Sequence, residues 1–108
     1  MSAQRACGVD DLELDTPLRV ELDGVAIAIV KDSAGDIHAI GDRCTHGDIS
    51  LAEGFVEGDT LECWAHGSRF SLITGKPLNL PAYEPVPVYS VEIDGDDVLI
   101  DPTVIKEV

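Results

Sequence analysis

Two short segments of this 108-residue chain, CTHG at 44–47 and CWAHG at 63–67, each place one cysteine and one histidine before a glycine. They contain two of the three cysteines and two of the three histidines in the chain. Glycine lets the backbone fold tightly around a ligand where a Cβ would collide. A lone cysteine or histidine is explained by ordinary burial, but two such pairs in glycine-rich turns predict a metal centre. Its predicted ligands are Cys44, His46, Cys63 and His66.

The ligand types alone leave two kinds of metal centre open. Two thiolates and two imidazoles suit a tetrahedral zinc ion as well as an iron-sulfur cluster. Zinc sites usually leave about two to four residues between the ligands of a pair, whereas one residue separates Cys44 from His46. The short spacing favours side chains that diverge to two metal atoms, and a single zinc ion remains the alternative.

The two ends of the chain predict an all-β fold. Short alternating segments recur between turn signals, and no window sustains helical periodicity over three turns. LRVEL and VAIAIV flank Asp23-Gly24, a strong hairpin signal, and a further turn at 31–36 leads into IHAI. VPVYSVEI and DVLI predict a second antiparallel pair around the turn at 94–96. Only 5% of the residues are aromatic, so the core must consist of aliphatic side chains.

The remaining segments carry weaker signals. Six glycines punctuate residues 41–75, where loops should dominate around one small hairpin in FVEGDTLEC. Four prolines in KPLNLPAYEPVP, residues 76–87, predict a rigid surface loop. The segment up to Asp15 fits a helical turn or a loose arm, with Cys7 as a free thiol in a poorly ordered terminus. Alternation along IHAI predicts that His38 faces solvent.

The charge and composition exclude several function classes. A formal net charge of −14 repels phosphate backbones and argues against nucleic-acid binding, while it can steer the chain toward basic docking faces. The longest apolar run, Val25 to Val30, is too short to cross a bilayer. An odd number of cysteines without paired spacing indicates a reducing compartment, so we expect the cytoplasm. No catalytic triad, phosphate-binding loop or flavin motif is visible, so independent catalysis is not expected.

The pattern CxH, sixteen residues and CxxH, followed by Gly67 and Ser68, resembles the Rieske [2Fe-2S] family. The flanking strands and the proline-bearing loop match as well, so the resemblance covers most of the chain. It implies a Rieske-like antiparallel β-sandwich, with residues 1–108 as one domain and a small loop-rich cluster-binding subdomain at about 41–75. It also implies one [2Fe-2S] cluster, with one iron bound by Cys44 and Cys63 and the other by His46 and His66.

The resemblance further implies a set of supporting residues around the cluster. The loop around Pro81 stands where the family places a third loop that shields the cluster, although it would also serve as a plain rigid connection. Ser68 offers a hydroxyl to a cluster sulfur. Trp64 either packs over the cluster or presents a flat surface to a partner. The expected supporting residues are Gly47, Trp64, Gly67, Ser68 and Pro81.

Departures from the high-potential members of the family predict a low reduction potential. Neutral imidazoles in place of two thiolates raise the potential from about −400 mV to between roughly −150 and +300 mV. High-potential members add one cysteine per loop, joined as a disulfide, and a tyrosine four residues after the second histidine. This sequence has Asp48, Ala65 and Phe70 at those positions. Fewer donors to the sulfurs and many nearby carboxylates leave an added electron poorly stabilised.

These features are similar to those of the Rieske-type ferredoxins that serve bacterial aromatic-ring dioxygenases. The resemblance implies a one-electron carrier from a flavin-dependent NAD(P)H reductase to a terminal non-haem iron oxygenase, acting as a soluble monomer with no membrane association through transient contacts. Arg69 is expected to pair with an acid of this chain rather than with a partner. Two alternatives remain, a small Rieske subunit permanently bound to a reductase or to iron-sulfur assembly machinery, and a zinc-stabilised interaction module.

Overall fold

The alternating segments form two antiparallel sheets in a computed structural model that describes residues 3–43, 49–64, 67–79 and 84–106. Within these ranges the strands are β1 Gln4–Gly8, β2 Pro17–Leu22, β3 Val25–Lys31, β4 Ile37–Gly41, β5 Phe55–Glu57, β6 Thr60–Glu62, β7 Arg69–Ser71, β8 Val88–Asp94 and β9 Asp97–Ile105. Single 3-10 turns lie at Val9–Asp11 and Leu51–Glu53. The predicted all-β class is confirmed. No helix in the described ranges is long and apolar enough to cross a membrane.

The larger sheet has six strands in the order β1-β9-β8-β4-β3-β2. It contains the predicted meander β2 to β4 and the predicted pair β8 and β9. Asp23 and Gly24 have φ angles of 51° and 80°, the left-handed values that a tight two-residue hairpin requires at both central positions. The Gln4 Nε2 atom, on edge strand β1, donates to Asp23 Oδ2 beside edge strand β2 at 2.6 Å. The sheet therefore curls until its two edges meet.

The prediction for the N-terminal segment was partly wrong. The turn at Val9–Asp11 agrees with the helical alternative, but the preceding residues form β1, which pairs with β9 at the far end of the sequence. Cys7 is free, as predicted, yet it lies in β1 with 5% exposure rather than in a poorly ordered terminus. Burial raises the pKa of its thiol, which makes it less reactive. The partner strand is too distant in sequence for a local pattern to indicate it.

Strand β3 is buried on both faces, which explains its unbroken apolar run. Ile27 and Ile29 point into the core enclosed by the curled sheet. Ala28 and Val30 point to the opposite side, into a second core shared with the smaller sheet. A strand covered on both faces reads as continuously hydrophobic rather than alternating.

The same two-sided burial makes the prediction for His38 wrong. His38 pairs with Val30 in the β3–β4 ladder, so its side chain lies on the face that the smaller sheet covers. The side chain is 17% exposed, and its Nε2 atom lies 2.8 Å from the Asp32 Oδ2 atom. Alternation correctly placed His38 and Ile37 on opposite faces of β4. It could not indicate that the face with His38 is covered as well.

The smaller sheet has the order β5-β6-β7. Its first two strands are the hairpin predicted in FVEGDTLEC, whereas β7 was not predicted and makes the segment more ordered than the expected loops. Leu61 of β6 and Phe70 of β7 are fully buried against the larger sheet. A Cβ on Gly54 would overlap the carbonyl oxygen of Glu62. Glycine at position 54 therefore lets the chain enter this sheet at close backbone contact.

Candidate metal centre

The structure describes one of the four predicted ligands. Cys63 follows β6 as a fully buried free thiol. Cys44, His46 and His66 lie outside the described residues, as do the supporting positions Gly47 and Pro81. In the ranges that are described, no group of three or more His, Cys, Asp or Glu side chains is arranged to hold a metal ion. The site is therefore defined by Cys63 and by the bases of the loops that carry the other ligands.

The second ligand loop is closed by two backbone hydrogen bonds. The amide of Cys63 donates to the carbonyl of Ser68 at 2.7 Å, and the amide of Gly67 donates to the carbonyl of Cys63 at 2.9 Å. Gly67 has a φ of +73°, a conformation that glycine adopts at little cost. A Cβ at this position would meet nothing within 4 Å in the part of the chain that the structure describes, so backbone conformation rather than close contact favours glycine here. The supporting role of Gly67 at the cluster stays a prediction. The two hydrogen bonds hold the beginning and the end of this loop together, beside the buried thiol.

The two other described supporting residues differ in exposure. Ser68 is fully buried next to the base of this turn. Its predicted hydrogen bond to a cluster sulfur stays a prediction. Trp64 is 51% exposed. Whether its ring packs over the cluster or faces a partner stays a prediction.

The first ligand loop also begins and ends at adjacent points. Arg43 and Ser50 form an isolated antiparallel bridge, and the amide of Leu51 donates to the carbonyl of Asp42. Leu51 belongs to the same apolar core as Cys63, and Ile49 packs against that core. The end of the first loop and the base of the second therefore pack into the same apolar core.

A third segment is attached to the second loop through Asn79. Its Nδ2 atom donates to the carbonyl of Gly67 at 3.0 Å, and its Oδ1 atom accepts from the amide of Arg69 at 2.7 Å. Asn79 directly precedes residues 80–83, which contain Pro81 and lie outside the described ranges. Sequence reasoning missed Asn79. The one signal was a polar amide between two leucines in a proline-rich run.

Arg69 is paired inside the chain, as predicted. Its Nε atom lies 3.1 Å from Glu62 Oε1, and Glu57 Oε2 lies 3.6 Å from its Nη2 atom. Both contacts join strands of the smaller sheet. Each is a surface ion pair of small energetic weight.

The residues present fit an iron-sulfur cluster. Thiolate and imidazole are ligands that such clusters use. The buried Cys63 thiol cannot pair with Cys7, which is free as well and lies in the other apolar core. Loops whose bases pack into one apolar core can present ligands to one shared centre. The donor set and this frame are consistent with the cluster that the sequence predicts.

Comparisons with known proteins agree with this assignment. The family model described as the Rieske [2Fe-2S] domain matches residues 2–90. The 3-phenylpropionate/cinnamic acid dioxygenase ferredoxin subunit of Shigella boydii is 43% identical over 97 residues, which cover 89% of this chain and 90% of that protein.

Two solved structures share the fold across nearly the whole chain. The ferredoxin of carbazole 1,9a-dioxygenase from Nocardioides aromaticivorans has a TM-score of 0.88 and 31% identity, covering 94% of this chain and 99% of that one. A chain in the complex of reduced oxygenase and oxidized ferredoxin in carbazole 1,9a-dioxygenase has a TM-score of 0.85 and 33% identity, with 93% of both chains covered.

Proposed function

The chain belongs to the Rieske [2Fe-2S] domain family, and we propose that it is the ferredoxin of a multicomponent aromatic-ring dioxygenase system. The observation that carries the proposal is the 43% identity to a dioxygenase ferredoxin subunit over about nine tenths of both chains. In this role the chain carries single electrons and is not itself an enzyme. We assign residues 1–108 to one Rieske domain, with its cluster-binding subdomain at about 41–75.

Four side chains would hold the cluster. We assign Cys44 and Cys63 to one iron and His46 and His66 to the other. The bound [2Fe-2S] cluster supplies one-electron reduction and oxidation. Two neutral imidazoles among the ligands lower the negative charge at the site, so an arriving electron meets less repulsion than it would among four thiolates.

The residues around the ligands support a low potential. Phe70, four residues after His66, is fully buried and offers no hydroxyl. Ser68 remains the hydroxyl that we assign to a cluster sulfur. We assign Gly47 to the first ligand loop as a supporting residue and Pro81 to the loop that would cover the cluster. A centre with few hydrogen-bond donors should lie near the lower end of the Rieske range, at about −150 mV.

The partners that we propose are a flavin-dependent NAD(P)H reductase and a terminal non-haem iron oxygenase. The net charge of −14 would steer the chain toward basic docking faces. Trp64, within the second ligand loop, and Leu78, which donates from its amide to the carbonyl of Arg69, are 51% and 57% exposed. They would supply apolar contact area for brief complexes. We assign the chain to the cytoplasm, since its three cysteines show no paired spacing, and we propose that it acts as a monomer.

Reconstitution with purified partners tests this proposal. The protein purified without oxygen is mixed with the flavin reductase and the oxygenase of a 3-phenylpropionate dioxygenase, and bleaching of its visible absorption is followed after NADH is added. We expect NADH-dependent bleaching that reverses when oxygenase, substrate and oxygen are present. A chain that elutes permanently bound to a reductase or assembly protein would instead support the subunit alternative.

Two ligand variants serve as controls in this assay. Cys44→Ser should prevent stable cluster assembly because it removes a thiolate ligand. His66→Cys should retain some cluster but lower its potential, since a neutral ligand becomes an anion. A colourless protein that contains zinc would contradict the proposal.

A further inference from the structure

Asp42 is a buried carboxylate at the base of the first ligand loop. It directly follows β4, is 3% exposed, and stands two residues before Cys44 in the sequence. Its amide donates to the carbonyl of Ala26 at 3.1 Å, and its carbonyl accepts from the amide of Leu51. The backbone of Asp42 therefore joins β3 to the residues that follow the loop.

Three donors converge on the Asp42 carboxylate. The Oδ1 atom accepts from the amide of Ala52 at 2.8 Å. The Oδ2 atom accepts from Ser50 Oγ at 2.6 Å and from Arg19 Nε at 3.1 Å. An ionised carboxylate accepts at both oxygens, whereas an asparagine replaces one of them with a donating amide. The donor set at this point requires a carboxylate.

These contacts hold the loop from both sides. Asp42 precedes residues 44–48, while Ser50 and Ala52 follow them, so one side chain ties the two ends of the loop together. Arg19 fixes the same carboxylate to β2 of the curled sheet. The ends of the loop are thereby attached to the six-stranded sheet.

Gly41, the residue before Asp42, contacts the segment that follows the third loop. The amide of Gly41 donates to the carbonyl of Pro87 at 2.9 Å, and a Cβ on Gly41 would come within 2.9 Å of the Pro87 ring. Pro87 lies on the chain that returns from residues 80–83. The segment before the first loop and the segment after the third loop are thus joined to each other at this point.

We propose that Asp42 is a positioning residue for the cluster, acting with Arg19 and Ser50. This inference rests on the proposed function. The carboxylate does not bind iron in this scheme; it sets the width of the loop base from which Cys44 and His46 extend. Residues that orient metal ligands from outside commonly change metal affinity or activity by about 10- to 100-fold when replaced.

The test uses the full chain with its cluster in three variants, Asp42→Asn, Ser50→Ala and Arg19→Gln. We expect Asp42→Asn to lose iron to a chelator about tenfold faster than the unmodified protein. The other two each remove or weaken one donor and should have smaller effects in the same direction. Clusters that remain should show shifted EPR g values and a shifted midpoint potential.

Asp59→Asn is the matched control, because Asp59 is exposed at the β5–β6 turn. The substitution makes the same change in charge as Asp42→Asn. It should release iron at the rate of the unmodified protein. If Asp42→Asn does not fold, Ser50→Ala and Arg19→Gln decide the question. The inference is overturned if the variants that fold keep the original release rate, g values and potential. An unmodified protein without iron and sulfide would overturn the proposed function itself.

Discussion

The curled six-stranded sheet and the small three-stranded sheet are stabilised in different ways. Strands β3 and β8 each have seven residues and β9 has nine, and the curled sheet encloses its own apolar core. Strands β5, β6 and β7 have three residues each, and the loops beside them are fixed by single polar side chains such as Asp42 and Asn79. The six-stranded sheet, called the framework below, therefore distributes its stability over many contacts. The geometry of the cluster site depends on a few contacts.

The largest loss in the free energy of unfolding should come from a substitution in the apolar core of the framework. Ile29→Ala removes a fully buried side chain and should lower the free energy of unfolding by about 3 kcal/mol. Because Ile29 faces away from the small sheet, the EPR spectrum and potential of the folded protein should not change. Urea unfolding and EPR on the same sample measure both quantities.

Ile105→Ala is the matched control for Ile29→Ala, since Ile105 is 60% exposed. It should change the free energy of unfolding by less than about 0.5 kcal/mol. A clear change in the g values of Ile29→Ala would show that the two regions are coupled and would break the comparison.

A smaller effect, located at the site, is expected from Gly54→Ala. The added Cβ would overlap the carbonyl of Glu62, so β6 must shift, at a cost of about 2 kcal/mol. Since β6 leads directly to Cys63, cluster release should accelerate along with the loss of stability. Iron release to a chelator and thermal unfolding report the two effects.

Gly58→Ala is the control for Gly54→Ala. It lies in the β5–β6 turn with a φ of +60° and open space around its Cα. The left-handed backbone should cost about 1 kcal/mol for alanine, without a change in cluster release. Equal release rates for the two variants would mean that close backbone contact at Gly54 does not support the site.

A buried hydrogen bond between Asp32 and His38 predicts that the stability of the protein depends on pH. Burial opposes ionisation of Asp32, but hydrogen bonds from His38 and from the amides of Asp36 and Ala34 outweigh it and lower the pKa of Asp32. A carboxylate with a lowered pKa contributes stability above its unfolded pKa of about 3.9. This contribution is lost as the pH falls through the folded pKa.

Asp32→Asn should therefore cost about 1 kcal/mol at pH 7 and flatten the loss of stability in acid. Urea midpoints at pH 7, 5, 4 and 3 measure the slope, with Asp36→Asn as the control because Asp36 is exposed in the same turn. An unchanged acid slope in Asp32→Asn would exclude the Asp32 carboxylate as its source. The cluster should be unaffected at pH 7.

The smallest effect is expected at Arg69. Its pairs with Glu62 and Glu57 are partly exposed, so Arg69→Gln should change the free energy of unfolding by less than about 0.5 kcal/mol. The small difference should shrink further in high salt. Thermal unfolding at low and high salt provides the measurement, and a loss above about 1 kcal/mol would show that single ion pairs carry much of the small sheet.

Local patterns predicted most of the framework. Asp23-Gly24 specifies a two-residue turn by its own backbone preferences, and the Cys and His spacing marks the ligand loops within single segments. Strand β1 was missed because its partner β9 lies at the other end of the sequence, and the burial of His38 depends on a second sheet. Such contacts form between distant segments, so no local periodicity records them.

The polar anchors of the site were also beyond sequence reasoning. Asp42 and Asn79 each bond to backbone groups of other segments, and any exposed acid or amide would look the same in the sequence. Trp64 illustrates a related limit. Its position beside Cys63 was clear from the motif, but the motif could not indicate that half of the side chain is exposed.

The EPR spectrum of the reduced protein, purified without oxygen, tests the central claim most directly. Ligation of one iron by two histidines predicts a signal from a single unpaired electron whose average g value is low. A silent spectrum from a colourless, zinc-containing protein would contradict the account.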